Sequence, residues 1–352
     1  MKIAVDAMGG DYAPREVVTG AISALRTIKD RFEIVLVGDR EKIRREMMLH
    51  FRTQGLPISI QHASQRVEMT ESPSAAIRKK HDSSISVAME LHRKGEVDAV
   101  VSAGNTGAVL GTALVKLRKL RGVIRPAIGT ILPNGRSAAM LIDSGANVDC
   151  KPNQLFQFGI MGSVFVQKVL NIQKPRIGLL NIGEEKSKGT ELVQKTYALF
   201  EKSNVNFVGN VEGREILQDV ADVVVCDGFI GNIILKFAES INAVYTTNLR
   251  HRIGKRIQFK FGAYLLKPAF RRLKKTFDYA EYGGVPLLGV NGVVIVCHGS
   301  SPAKAFTNAI FEAEKMIVEN VNQAIASSFE VEIKNHEIEP EMVTDTEFIK
   351  GD

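Results

Sequence analysis

Cysteine is scarce in this chain: Cys150, Cys226 and Cys297 are the three in 352 residues, far apart and without a CxxC pair. That spacing suggests neither a disulfide framework nor a zinc site, and it fits a reducing cytosol. No group of His, Asp and Glu falls at helical metal-ligand spacing, so no metal is expected. No G-x-G-x-x-G follows the first strand and no GxxxxGK[ST] occurs, which counts against a dinucleotide cofactor and a Walker-type loop; no cofactor is expected. Met1 leads into the apolar KIAVDAM with no signal-peptide pattern. No apolar run reaches the about 20 residues that span a bilayer. The expectation is a soluble or peripheral protein. Short repeats, low-complexity blocks and an obvious linker are lacking too.

What is present is ordinary in bulk and basic in balance. Hydrophobic residues make up 45% and charged residues 24%, values that support a sizeable core. A formal net charge of +7 favours acidic partners, among them phosphate, acidic proteins, anionic lipid and nucleic acid. Charge alone does not choose among these.

One pattern recurs five times: an apolar run stops at a small, polar, Gly-bearing loop, and a helix-like stretch follows. It occurs at Val97–Gly107 (VDAVVSAGNTG), Met140–Asp149, Gly178–Gly189, Val223–Asn232 and Val293–Ser301. Strands alternating with helical patterns imply βαβ units and a parallel sheet. In an open parallel sheet the loops at the strands' carboxyl ends converge on one crevice, where ligands bind. The five loops are therefore expected to form one wall of an active site. The expected strands are 2–8, 32–38, 58–62, 97–102, 127–132, 138–142, 176–181, 207–211, 222–226 and 292–298, with helices between them, including one opening at Asn232 and one over 302–328. The reading is a single α/β unit over 1–328, with a subdomain boundary placed near 172–175, and a poorly ordered acidic tail over 329–352.

The stretch Leu249–Phe277, within 246–278, breaks the rhythm. Basic residues run from Arg250 to Lys275, Arg271 and Arg272 among them, with no Asp or Glu between. Leu249, Ile253, Ile257, Phe261 and Leu265 repeat at i, i+4 spacing, and a second apolar stripe follows Pro268. Two basic amphipathic helices flanking a proline break, folded as a protruding hairpin, are expected.

Several residues are candidates for chemistry. At Gly104-Asn105-Thr106-Gly107 glycines let the backbone approach an anion, and a helix start supplies unpaired N–H donors; Ser102 and Thr106 would add hydroxyls. The plain alternative is a tight turn that needs Gly for its geometry. Lys188 lies in a loop where its charge can reach a bound phosphate, or belongs to a solvated charge run with Glu184 and Glu185. Asn232 either caps a helix or donates its amide to a developing oxyanion. His298 ends a strand and can protonate a leaving group, or is structural. Asp6, Asp143 and Asp227 end strands near these loops and either orient Lys188 or cap helices. Gly9, Gly10 and Asn181 complete the candidates.

The order of the motifs goes further than the residues taken singly. IAVDAMGGD-x-AP, SAGNTGA, RPA at Arg125–Ala127, D-x-GANVD-x-KP at Asp143–Pro152, GLLNIG-x-E and ADVVV-x-DGF-x-GN closely resemble the bacterial phosphate acyltransferases of phospholipid synthesis, the PlsX family. The matches run in order from Lys2 to about Glu319; Tyr12 stands where many members carry His. The resemblance implies a three-layer α/β/α fold with a mostly parallel sheet, similar to phosphotransacetylases and isocitrate dehydrogenase-like enzymes, and a homodimer. It implies transfer of an acyl group from acyl carrier protein to inorganic phosphate, the acyl phosphate passing to a membrane acyltransferase acting on glycerol 3-phosphate. On the family's motifs the catalytic residues fall on Lys188 and Asn232.

In this light, the Gly104–Gly107 loop and Lys188 are expected to bind phosphate, while Asn232 stabilises the oxyanion. The segment Leu249–Phe277 is expected to touch an anionic membrane surface, on a cytoplasmic, peripherally associated protein. Rival readings are an acyl-CoA phosphotransferase and a catalytically silent membrane-recruited scaffold. Nucleic-acid binding is not expected, since the basic residues lie beside lipid-like apolar spacing without an aromatic stacking platform.

Overall fold

The structure, a computed structural model, describes residues 1–28, 31–51, 53–134, 138–254, 257–270 and 278–336. In chain order its first half comprises β1 (Lys2–Asp6), α1 (Arg15–Thr27), β2 (Glu33–Gly38), α2 (Arg40–Met48), β3 (Ile58–His62), α3 (Pro73–Lys79), α4 (Ser84–Arg93), β4 (Ala99–Ser102), α5 (Thr106–Lys116), β5 (Ala127–Pro133), β6 (Ala138–Ile142) and α6 (Pro152–Val169). There follow β7 (Ile177–Asn181), α7 (Glu191–Lys202), β8 (Phe207–Glu212), β9 (Val223–Val225), α8 (Gly228–Gly254), α9 (Ile257–Leu265), the single turn α10 (Tyr279–Tyr282), β10 (Val285–Leu288), β11 (Val293–Val296), α11 (Ala303–Val318) and α12 (Val321–His336).

Local chemistry accounts for many of these boundaries. Asp39 caps α2 by accepting from the backbone N–H groups of Glu41 and Lys42. Pro152 stands in the first turn of α6, and the Gln154 side chain accepts the Lys151 N–H at 2.8 Å. In α1 the buried residues Val17, Val18, Ala21, Ile22 and Leu25 recur with helical spacing on one stripe. The central strands β4 and β11 are buried along their whole length, as strands covered on both faces must be.

Eleven strands form one sheet, in the order β3-β2-β1-β4-β11-β10-β5-β6-β9-β7-β8. Neighbours pair in parallel except at β11–β10, β10–β5 and β5–β6. Three consecutive reversals make β6, β9, β7 and β8 run opposite to β3, β2, β1, β4 and β11. Helices α1, α2, α6, α7, α11 and α12 bury against one face. The other face is covered by α4 and α5 over one half and by Ile234 of α8 with the stretch around Ile216 over the other. The architecture is therefore three-layer α/β/α around a mixed sheet.

The structure adds one strand to the expected elements and redraws two helical stretches. Strand β10 escapes the sequence reading because it is four residues long and contains Pro286, which normally marks an edge. It is tolerated in mid-sheet because pairing with β5 begins only at Leu287, after the residue that lacks an N–H. The helix expected over 302–328 is two helices, broken at Asn320, whose φ of 50° is left-handed and suits Asn; α12 then continues to His336, so the start of the expected tail is helical. In the basic segment α9 ends at Leu265 and a new helical turn runs over 267–270, with Pro268 in its first turn, a position that needs no N–H; residues 255–256 lie outside the described residues. Leu249 and Ile253 are half-buried, while Phe261 and Leu265 are 67% and 62% exposed. The Ile257 side chain, Arg271, Arg272 and residues 337–352 lie outside the described residues.

Candidate active site

The strand reversal divides the five loops into two groups. One stands at the carboxyl ends of the neighbouring strands β1, β4 and β11, and the other at those of β6, β9 and β7. Because the two half-sheets run in opposite directions, these ends lie at opposite edges of the sheet. The expected single row of loops is corrected accordingly, and the GNTG loop and Lys188 belong to different groups. Periodicity within a strand says nothing about its direction relative to a strand a hundred residues away.

In the first group the turn at Gly9-Gly10-Asp11 lies against the loops of β4 and β11, with Asp11 N–H donating to Gly299 C=O at 2.8 Å. Asp6 is buried; the Ser102 hydroxyl donates to its Oδ2 at 2.7 Å, and Gly104 N–H donates to the Ser102 oxygen at 3.0 Å. Burial pushes the Asp6 carboxyl above its ordinary range, opposed by the hydroxyls of Ser84 and Ser102 and by nearby N–H groups. Ser102 is fully buried, so its hydroxyl shapes the loop and is not a donor to a ligand in solvent. Asn105 caps α5 by accepting from Ala108 N–H at 3.1 Å, and its amide donates to the carbonyls of Met69 and Glu71 at 3.0 and 3.1 Å. Gly107 packs against Pro73. Thr106 is exposed and opens α5, whose first-turn N–H groups have no partner within the helix. His298 is exposed, and its Nδ1 accepts the Ser300 N–H at 3.2 Å, which leaves the ring proton on Nε2 in the neutral form.

The second group is organised by Asp143, which is wholly buried. Its carboxylate accepts backbone N–H groups from Ile128, Gly145, Ala146 and Asn147 at 2.7–3.1 Å. Burial pushes this carboxyl up, and those donors work against the shift. The Asp143 loop then seats the start of α8. Gly228 N–H donates to Asn147 C=O at 2.7 Å, and a Cβ at Gly231 would overlap the Asp143 carbonyl. Helix α8 starts at Gly228, with Asp227 Oδ1 accepting Ile230 N–H at 2.9 Å. The cap is therefore Asp227, not Asn232, which lies exposed one turn in, beside Gly145. Asn181 donates to Lys188 C=O at 3.1 Å and fixes that loop; the Lys188 side chain is exposed. Val148, Ile182, Phe229 and Ile233 are exposed on the same loops and the adjoining helix.

Sequence reading did not single out Asn147, although the GANVD motif contains it, nor Ser84, which no motif flags. Cys150 and Cys226 lie in the second group, with thiols that burial pushes up, to about 12 for Cys150 and well above the ordinary value for Cys226. Neither is an activated nucleophile.

Comparison with known proteins places this geometry. Residues 1–324 match the family described as "Fatty acid synthesis protein". A protein named "Phosphate acyltransferase" from Pelotomaculum thermopropionicum is 48% identical over 335 residues, covering 95% of this chain and 97% of its own. One of the same name from Geobacter sulfurreducens is 47% identical over 332 residues, covering 94% and 95%. Among solved structures, a phosphotransacetylase from Streptococcus pyogenes superposes with a TM-score of 0.61 at 17% identity, covering 91% of this chain and 94% of that one. This second likeness is one of fold.

Proposed function

The chain belongs to the fatty acid synthesis protein family, and we propose that it transfers the fatty acyl group of acyl-[acyl carrier protein] to inorganic phosphate, giving acyl phosphate and free carrier protein. The observation that carries this reading is the likeness, along nearly the whole chain, to proteins named phosphate acyltransferase. The acyl phosphate then serves a membrane acyltransferase acting on glycerol 3-phosphate, in phosphatidic acid synthesis.

Phosphate is itself the nucleophile, so the chemistry asks for anion binding, alignment and oxyanion stabilisation. The first-turn N–H groups of α5, with the Thr106 hydroxyl, hold phosphate. Phosphate captured there passes to the second loop group, where the point charge of Lys188 holds it as it attacks. A phosphate oxygen bonds to the thioester carbon, the carbonyl electrons shift to oxygen beside the Asn232 amide, and the C–S bond then breaks with its electron pair leaving on sulfur. Exposed apolar residues around Lys188 and Asn232 suit the acyl end of the donor. The two loop groups flank the antiparallel centre of the sheet, and an extended donor lies across it. His298 stands in the other loop group, and the thiolate, a fair leaving group, departs without a general acid.

Two surfaces extend the proposal to partners. Phe229, Ile233, Phe237, Ile241 and Val244 form an exposed stripe along α8, which suits pairing with a second copy of the chain. Phe259, Phe261, Tyr264 and Leu265 are exposed on α9 beside basic residues, which suits an anionic membrane surface. No helix among the described residues is long and apolar enough to cross a membrane.

The test is acyl phosphate production from palmitoyl-[acyl carrier protein] and inorganic phosphate, with Lys188→Ala beside the parent. Phosphate-dependent turnover that collapses in the variant supports the reading. Turnover with acyl-CoA alone moves the assignment to a phosphotransacetylase-like reaction, and none with either donor overturns it.

A further inference from the structure

The Asp6 carboxylate has no evident reason to be buried at the foot of the GNTG loop. Interring a carboxylate is costly unless its partners are well placed, and this one sits at 2% exposure at the end of β1. Its partners run outward in a chain. Oδ1 accepts the Met8 N–H at 3.1 Å and Oδ2 accepts the Ser102 hydroxyl at 2.7 Å, which turns the lone pairs of Ser102 toward Gly104 N–H at 3.0 Å. Gly104 is the residue from which Asn105 and the first turn of α5 depart.

Gly9 is the second part of the device. A side chain there would come within 2.7 Å of both Asp6 Oδ2 and Gly104 nitrogen, so the carboxylate and the loop meet only because Gly9 has no Cβ. Asp6, Gly9, Ser84, Gly104 and Asn105 also line a small cavity of about 10 Å³, roughly the space of one water. Ser84 also faces the carboxylate, and Ser102 is the side chain that links it to the Gly104 N–H.

We propose that Asp6 is a positioning residue for phosphate: through Ser102 it locks Gly104 and so sets the direction of the free N–H groups at Thr106 and Gly107. This rests on the reading of the GNTG loop as the phosphate site. Asp6 touches no substrate. A carboxylate makes the relay one-directional, because it can only accept. Asn in its place has one acceptor oxygen for two donors, so its NH2 would face either the Met8 N–H or the Ser102 hydroxyl and let the loop choose between two arrangements.

Three variants separate this inference from the reading beneath it. Thr106→Pro tests the site itself: Thr106 is the first residue of α5 and Asn105 before it has φ −52° and ψ 116°, so proline fits the backbone and removes one N–H and one hydroxyl. Asp6→Asn and Ser102→Ala test the relay. Each of the three should raise KM for phosphate about tenfold, the loss expected for a hydrogen bond to a charged group. The KM for acyl-[acyl carrier protein] should stay unchanged, a split that general loosening of the fold would not produce. Thermal melts identify any variant that has merely unfolded, and Asp6→Asn, nearly isosteric, guards against that. If Thr106→Pro raises the phosphate KM while folded Asp6→Asn and Ser102→Ala do not, the relay is overturned and the site stands. If Thr106→Pro leaves the phosphate KM unchanged, the site reading itself falls, and the relay with it.

Discussion

The side-chain amide of Asn147 donates to Asp143 Oδ2 at 2.8 Å and to the carbonyl of Pro126 at 2.8 Å, joining the end of β6 to the start of β5. Both residues are buried, so neither partner can turn to water. Asn147→Ala leaves the carbonyl and one carboxylate lone pair unmatched and should cost about 1–3 kcal/mol of stability. Chemical denaturation measures it, and a loss below the lower figure would mean that the loop relaxes around the gap.

The same loop makes a prediction about Gly231. A Cβ there would collide with the backbone carbonyl of Asp143, whereas one at Gly213 would meet nothing within 4 Å. Gly231→Ala should displace the first turn of α8 and lower turnover at least tenfold through Asn232, given that a shift of about 1 Å costs around 100-fold. Gly213→Ala should behave as the parent. Equal turnover in the two variants would show that α8 is not held by this contact.

Glu312 on α11 offers a test in pH. Its carboxyl is 8% exposed, and burial pushes it well above the ordinary carboxylate range, with the backbone N–H of Gly284 alone working against the shift. A folded carboxyl with a raised pKa binds its proton more tightly than the unfolded one. The parent therefore loses stability as pH rises above the ordinary value of about 4.3, until the raised value is passed. Glu312→Gln should be more stable than the parent at pH 8, and that advantage should shrink as pH falls toward 4. An advantage independent of pH would show the ionised form is not what costs stability.

For membrane contact the measurement is co-sedimentation with vesicles containing anionic lipid. Each basic residue near such a surface contributes about 1 kcal/mol and the apolar side chains of α9 add burial. The parent should bind at low salt and release as salt rises. Phe261→Asp with Leu265→Asp should weaken binding strongly without lowering turnover on soluble substrates. Equal binding by parent and double variant would move the contact elsewhere.

The residues alone determined the elements and the family. The apolar runs of β1 and β4, the helical stripe of α1, Pro152 at the head of α6 and the ordered motifs from IAVDAMGGD to DGF-x-GN are all local, and local chemistry suffices to read them. Lys188 and Asn232 were named as candidates for the same reason, as members of motifs. Tertiary structure decided what depends on partners distant in sequence. The direction of the second half-sheet follows from three antiparallel pairings, β11–β10, β10–β5 and β5–β6, and it set the GNTG loop apart from Lys188. The occupation of Ser102 by Asp6, 96 positions away, turned an expected phosphate donor into an internal support. Burial did the same for Glu312, a residue whose charge gives no sign in the sequence that the fold encloses it. Strand direction, hydrogen-bond partners and desolvation are properties of the assembled chain, because each is fixed only when segments remote in sequence come into contact.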